Sequence, residues 1–202
     1  MCVNDILHSD TGTFRSFRVL ELLGEGTFGQ VVKCEDMATK KLTAVKVIKN
    51  KPAYHNQALM EIKILTTLNQ EYDPHDKFHM LRLLEHFTHK NHLCLVFELL
   101  SANLYELIKQ NQFRGLSCNV IRTILKQLLE SLVVLKWAKI IHCDLKPENV
   151  LLVKSDSAEI KLIDFGSACI VAGTPVCAAD GTCIPIEQMK PNISVFGYVG
   201  GI

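Results

Sequence analysis

One stretch of this chain leaves few folds open. His142-Cys143-Asp144-Leu145-Lys146-Pro147-Glu148-Asn149 brings an acid, a lysine and an amide into a short loop, and Asp164-Phe165-Gly166 sets a second acid beside an apolar strand. Phosphoryl transfer from a nucleotide needs such a set: a carboxylate to orient the attacking hydroxyl, a cation beside the migrating phosphoryl group, and oxygen ligands for magnesium. At this spacing Asp144 is expected as the base, Lys146 as the phosphate cation, and Asn149 and Asp164 as the metal ligands. A polar loop on an unrelated fold is the plain alternative. The ordered run together with the Asp-Phe-Gly triplet weighs against it.

Upstream, Gly24-Glu25-Gly26-Thr27-Phe28-Gly29-Gln30-Val31 has the form G-x-G-x-x-G-x-V. The glycines alone are ambiguous, because a dinucleotide-binding fold uses nearly the same pattern ahead of a helix. Here residues 17–23 read as a strand ending at Leu23, and residues 31–35 continue as another, so the glycines turn a hairpin. Glycine suits that place because backbone amides can approach phosphate oxygens without a Cβ in the way. An ordinary hairpin turn remains the alternative on this segment taken alone.

Leu42-Thr43-Ala44-Val45-Lys46-Val47-Ile48 reads as a strand with one interior lysine, whose default is a solvated position on the polar face. Residues 56–68 read as a helix with Ala58, Leu59, Ile62, Leu65 and Leu68 as its apolar stripe, and Glu61 as a solvated residue by default. Strands over residues 80–87 and 93–99, turning at 88–91, complete a five-stranded antiparallel sheet with one helix. Residues 104–110 and 117–137 follow as helices. Ser117 or a neighbour is the expected N-cap of the second, with Val120, Ile121, Ile124, Leu125, Leu128, Leu129, Leu132 and Leu135 as a broad apolar face.

Several stretches are more specific than these motifs. They are the residues 91–100 (Asn-His-Leu-Cys-Leu-Val-Phe-Glu-Leu-Leu), 103–109 and 111–117, the run Ile140-Ile141-His142-Cys143-Asp144, and Asp164-Phe165-Gly166-Ser167-Ala168-Cys169. Together they resemble the eukaryotic protein kinases, specifically the dual-specificity tyrosine-regulated kinases and their Yak-type branch. The resemblance implies an α+β bilobal fold, with the N-lobe at residues 17–99 and the first part of a helical C-lobe at 100–169. It implies ATP and Mg2+ as cofactors and protein serine and threonine hydroxyls as acceptors, with tyrosine autophosphorylation during maturation, in cytoplasm and nucleus. It makes Lys46 the α/β-phosphate ligand, held by Glu61. Leu23 and the glycine loop Gly24, Glu25, Gly26, Thr27, Phe28, Gly29, Gln30 and Val31 cover the nucleotide. Phe97, Glu98, Leu99 and Leu100 become the hinge against the adenine edge, and Val31, Ala44 and Leu151 sandwich the ring.

Two departures matter. Cys143 stands where most protein kinases carry an arginine that pairs with a phosphorylated loop residue, and a cysteine cannot make that pair. After Cys169 the family's activation loop and further helices are not recognisable. Residues 170–202 are therefore expected to be an unrelated, disordered tail that leaves the acceptor side incomplete and the chain inactive. On that reading a non-catalytic ATP-binding or interaction fragment, competing with the full-length enzyme, is the alternative. Residues 1–16 are expected as a flexible lead-in.

Bulk properties add exclusions. With 22 basic against 21 acidic residues the charge balances, which speaks against a nucleic-acid surface. No leader, lipidation signal or membrane-spanning run is expected, so the reading is of a soluble intracellular protein. The eight cysteines are expected as reduced thiols. His86, His89 and His92, and the Cys177 and Cys183 pair, are not expected to bind metal. Oligomeric state is left open.

Overall fold

The computed structural model describes residues 2–8, 15–171, 175–177 and 183–185. Strands β1 (Ile6–His8), β2 (Ser16–Glu25), β3 (Gly29–Asp36), β4 (Leu42–Ile48), β5 (Leu83–His89) and β6 (His92–Glu98) form one antiparallel sheet in the order β1-β2-β3-β4-β6-β5. The five expected strands are present. The sixth corrects the reading of residues 1–16 as a flexible lead-in, because Ile6–His8 pairs with β2 along the sheet edge. Leu7 is the reason: its side chain is fully buried in a core with Phe17, Val19, Val32, Val45 and Phe87, where the rings of Phe17 and Phe87 stack 5.5 Å apart. The backbone N–H of His8 also meets His89 Nδ1 at 3.1 Å, joining the two outer strands of the curled sheet.

Helix α1 (Pro52–Thr67) begins earlier than residue 56, because proline at the first helical turn loses no hydrogen bond and is preset for helix. It ends in a wider π-helical turn at Leu68–Tyr72. Its buried face carries Ala58, Glu61, Ile62 and Leu65, so the expected stripe is right except for Leu59, which is exposed. Glu61 takes an inward position to meet Lys46 and turns Leu59 to solvent. The strand expected from residue 80 starts at Leu83; Met80 bridges Leu162 instead, while the Arg82 guanidinium bonds the carbonyls of Asn69 and Asp73.

The helical half contains α2 (Leu104–Gln110) and α3 (Cys118–Trp137), then the short strands β7 (Ile140–Ile141), β8 (Val150–Leu152), β9 (Ile160–Leu162) and β10 (Cys169–Ile170). Asn103 and Glu106 form a reciprocal capping box on α2. The Ser117 hydroxyl accepts from Val120 N at the start of α3. The broad face expected on α3 divides: Ile124 and Leu135 are buried, Val120, Leu128 and Leu132 pack partly against the main core, and Ile121, Leu125 and Leu129 are exposed with Val133 and Trp137. What α3 buries deepest also includes Gln127 and Ser131, because they bond to Ala158, Ile160 and Phe78 backbone groups.

Past Cys169, β11 (Pro175–Cys177) pairs antiparallel with β12 (Cys183–Pro185). That hairpin corrects the expectation of an unstructured tail for those two segments. Ile170 and Val171 at its start are likewise ordered, Ile170 pairing with Ile140 and Val171 N donating to Lys139 O at 2.8 Å; the rest of the expected tail lies outside the described residues.

Candidate active site

The glycine loop joins β2 to β3, and its three glycines differ in what requires them. A Cβ on Gly29 would collide with the Val47 carbonyl on the neighbouring strand β4, so packing demands glycine there. A Cβ on Gly24 or Gly26 would meet nothing within 4 Å. Packing within the chain does not explain those two glycines, and the open space leaves their backbone free for close approach by a group such as a phosphate. The loop is held by Lys49 Nζ, which donates to Gly26 O at 3.1 Å, and by Phe28, whose ring meets Tyr54 of α1 edge-on at 5.4 Å.

Beneath the loop, Lys46 on β4 is mostly buried and donates to both Glu61 oxygens, at 2.8 and 3.0 Å, and to Asp164 Oδ1 at 3.3 Å. Burial opposes the ammonium charge, but the Glu61 and Asp164 carboxylates outweigh it and raise the Lys46 pKa. On the partner side, burial pushes the Glu61 carboxyl up, against the charge and hydrogen bonds of Lys46. The two shifts favour opposite states of the pair. The two-pronged geometry favours the ion pair, with Lys46 charged. Asp164 itself has left-handed backbone angles, φ 60° and ψ 70°, and Gly166 beside it offers its carbonyl to Gln57 Nε2 at 2.6 Å.

The loop at residues 142–149 is built from within. His142 is buried edge-on to Phe165, and its Nε2 lies 2.9 Å from the Ile163 carbonyl. A carbonyl only accepts, so Nε2 carries the proton, and Nδ1 accepts from Asp144 N at 3.3 Å. Cys143 adopts φ 67° between them and stays exposed. Asp144 Oδ2 accepts from Lys146 Nζ at 2.7 Å and from Asn149 Nδ2 at 2.9 Å. The Lys146 hydrogen bond chiefly holds the Asp144 carboxyl below its ordinary range, with Asn149 adding to it against slight burial. Asn149 is buried; it uses Nδ2 toward Asp144, which leaves its amide oxygen as the atom suited to a cation.

Among the described residues no group of three or more His, Cys, Asp or Glu side chains could hold a metal ion. A cation here would take Asn149 and Asp164 and complete its shell with phosphate and water, which is how magnesium is commonly bound. His89 and His92 are engaged elsewhere, with His8 and with the Ile48 carbonyl.

The remaining expected residues lie on the walls. Phe97 is buried and pairs in register with Ala44, and Val31 opposite Lys46 is half-buried. Glu98, Leu99 and Leu100 lead out of β6, and β8, which carries half-buried Leu151, is tied to this crossing by Ser101 N to Leu152 O at 2.8 Å. Leu23 is exposed at the loop entrance, as are Glu25 and Thr27. A wider hollow, apolar in most of its surface, lies on the outside of α3 between Phe78, Leu125, Leu129 and Val133, with Arg122, Lys126 and Glu130 also lining it. Sequence reasoning missed Lys49, Tyr54 and Gln57, which hold the glycine loop and Gly166. It also missed Lys161, a single lysine in an apolar strand like Lys46.

Comparison with known proteins agrees with this geometry. The protein kinase domain family matches residues 17–184, so the match continues past Cys169. Among curated proteins the chain is 60% identical over 167 residues to Serine/threonine-protein kinase ppk15 of Schizosaccharomyces pombe, covering 83% of this chain and 31% of that protein. It is 58% identical over 172 residues to Dual specificity protein kinase YAK1 of Saccharomyces cerevisiae, covering 85% and 21%. It is 46% identical over 153 residues to the human Dual specificity tyrosine-phosphorylation-regulated kinase 4, covering 76% and 29%. The chain thus spans about a third or less of the length of these relatives. It belongs to the protein kinase family, among the Yak1 and dual-specificity tyrosine-regulated kinases.

Proposed function

We propose that this chain carries the nucleotide-binding and phosphoryl-transfer site of a Mg2+-dependent protein kinase that moves the γ-phosphate of ATP to serine and threonine hydroxyls, with tyrosine autophosphorylation in its range. The observation that carries the reading is Lys46 Nζ meeting Glu61 and Asp164 together, beneath two glycines whose space the chain leaves open. Lys46 binds the α- and β-phosphates, its position fixed by Glu61. Asn149 and Asp164 hold Mg2+, which when bound neutralises the charge spread over the β- and γ-phosphates. The hinge at residues 97–100 pairs with the adenine edge. Asp144 orients the acceptor hydroxyl and receives its proton; with its pKa held low it is a weak base, so positioning is the larger part of its work. Lys146, bonded to Asp144, places positive charge where the phosphoryl group crosses. Cytoplasmic and nuclear residence belongs to the same proposal and rests on kinship alone.

A second reading, a nucleotide-binding or interaction module without transfer, draws on the exposed apolar residues of α3. Labelled phosphate transfer from γ-labelled ATP to a protein rich in serine and threonine separates the two. Transfer that falls about 100-fold or more in Asp144→Asn supports the kinase reading. No transfer alongside normal ATP binding supports the second, and transfer that survives Asp144→Asn contradicts the role given to Asp144.

A further inference from the structure

We propose that Lys161 is a positioning residue for the nucleotide, its buried ammonium fixing the hinge strand against the strand that leads to Asp164; this rests on the functional reading above. Lys161 sits in the middle of β9 and is 4% exposed. Its Nζ meets Asp76 Oδ1 and Oδ2 at 2.8 Å each and Glu98 Oε1 at 2.6 Å. An ammonium has three protons, and here three acceptor atoms take them, so its place is fully specified. Glu98 is the last residue of β6, where the hinge begins, and the same oxygen accepts from Arg82 N at 2.9 Å. The Arg82 guanidinium returns to Asp76 at 3.0 Å and Asp73 at 3.5 Å, so its backbone N–H and side chain together close a ring of hydrogen bonds. Burial raises the Asp76 carboxyl, yet the hydrogen bonds and charge of Lys161, then of Arg82, outweigh it and keep it ionised.

The topology gives this cluster its purpose. β6 belongs to the large sheet and β9 pairs with β8, so among the described residues the backbone joins the two only indirectly, through residues 79–82, which bond Leu162 on one side and Glu98 on the other. Lys161 reaches from one to the other. Stability alone is a poor reason for such an arrangement, because well-packed apolar residues often replace a buried ion cluster at no cost. What a fully bonded buried cluster supplies is a fixed distance. The adenine, held at the hinge, and the metal-bound phosphates, held by Asp164, then lie at the spacing one nucleotide requires. Small errors in that spacing are costly for a ligand gripped at both ends.

The test is calorimetric affinity of the 202-residue chain for ATP with Mg2+, and for adenosine, which engages only the hinge. Lys161→Met, Glu98→Gln and the double variant are compared with the parent. We expect each single change to weaken ATP–Mg2+ binding on the order of tenfold, to weaken adenosine binding clearly less, and to add nothing further when combined. Lys161→Arg, which keeps the charge, is expected to lose less than Lys161→Met, and it carries the comparison if the methionine variant does not fold. A lowered melting temperature with unchanged ATP–Mg2+ affinity overturns the proposal, as do equal losses for both ligands or additive losses in the double variant. If the parent binds neither ligand, the functional reading fails with it; if the parent binds and the variants bind equally well, only the role of Lys161 fails.

Discussion

Lys46→Met offers a test of the buried pair that needs no nucleotide. The Lys46 side chain is 16% exposed and that of Glu61 only 3%, with the carboxylate taking two hydrogen bonds from the ammonium. Removing the cation leaves a buried carboxylate facing Asp164, an arrangement that costs about 3–5 kcal/mol. The protein can relieve that cost by protonating Glu61, which burial and Asp164 already favour. The folded variant then holds a proton that the unfolded chain releases above the ordinary glutamate pKa. A carboxyl raised in the folded state contributes stability at low pH that is lost as pH rises. The slope reaches about 1.4 kcal/mol per pH unit. Urea unfolding of parent and variant between pH 5 and 7 should show the deficit of the variant shrinking by roughly 2–3 kcal/mol as pH falls. Adding Glu61→Gln should flatten that dependence. A deficit that stays constant with pH would refute the argument, because Glu61 would then be solvated well enough to remain ionised without Lys46.

Gly29→Ala should destabilise the fold by about 1–3 kcal/mol, since its Cβ meets the Val47 carbonyl, whereas Gly24→Ala should leave the unfolding free energy in urea within roughly 0.5 kcal/mol and weaken nucleotide binding instead. Equal stability losses at the two positions would erase the distinction between a packing glycine and a phosphate-facing one. Leu7→Ala should cost about 2–5 kcal/mol, because Leu7 is fully buried where the edge strand closes over Phe17 and Phe87. A loss near zero, measured by thermal unfolding, would show that β1 is an appendage to the sheet.

Much of the candidate site was readable in the sequence because its residues come in short, ordered groups: the loop at residues 142–149, Asp164-Phe165-Gly166 and the spaced glycines. Interior lysines in apolar strands were a weaker signal. In Val45-Lys46-Val47 the pattern alone read as solvated, and only the family resemblance made Lys46 a candidate; Ile160-Lys161-Leu162 carries the same pattern around the second buried ammonium, with no motif to single it out. Lys49, Tyr54 and Gln57 gave no such signal, because a lysine after a strand and polar residues early in a helix look solvated until the glycine loop folds over them. Strand β1 was missed for a related reason. Three residues with one inward leucine carry no periodicity, and it is pairing with the edge of β2 and burial of Leu7 in the cluster with Phe17 and Phe87 that give Ile6–His8 its place. On α1 the apolar pattern placed Ala58, Ile62 and Leu65 inward but misplaced Leu59, because the inward face also holds Glu61, which pairs with Lys46.

The central claim is that Lys46 and Asp164 form one site for ATP and Mg2+. Isothermal titration of the chain with ATP, with and without Mg2+, and of Lys46→Met and Asp164→Asn, measures it most directly. The account predicts that Mg2+ strengthens ATP binding by the parent, that Lys46→Met weakens ATP binding with or without the metal, and that Asp164→Asn removes most of the Mg2+ enhancement while leaving metal-free binding nearly as it was. Affinities that neither variant changes, with Mg2+ present, would contradict it.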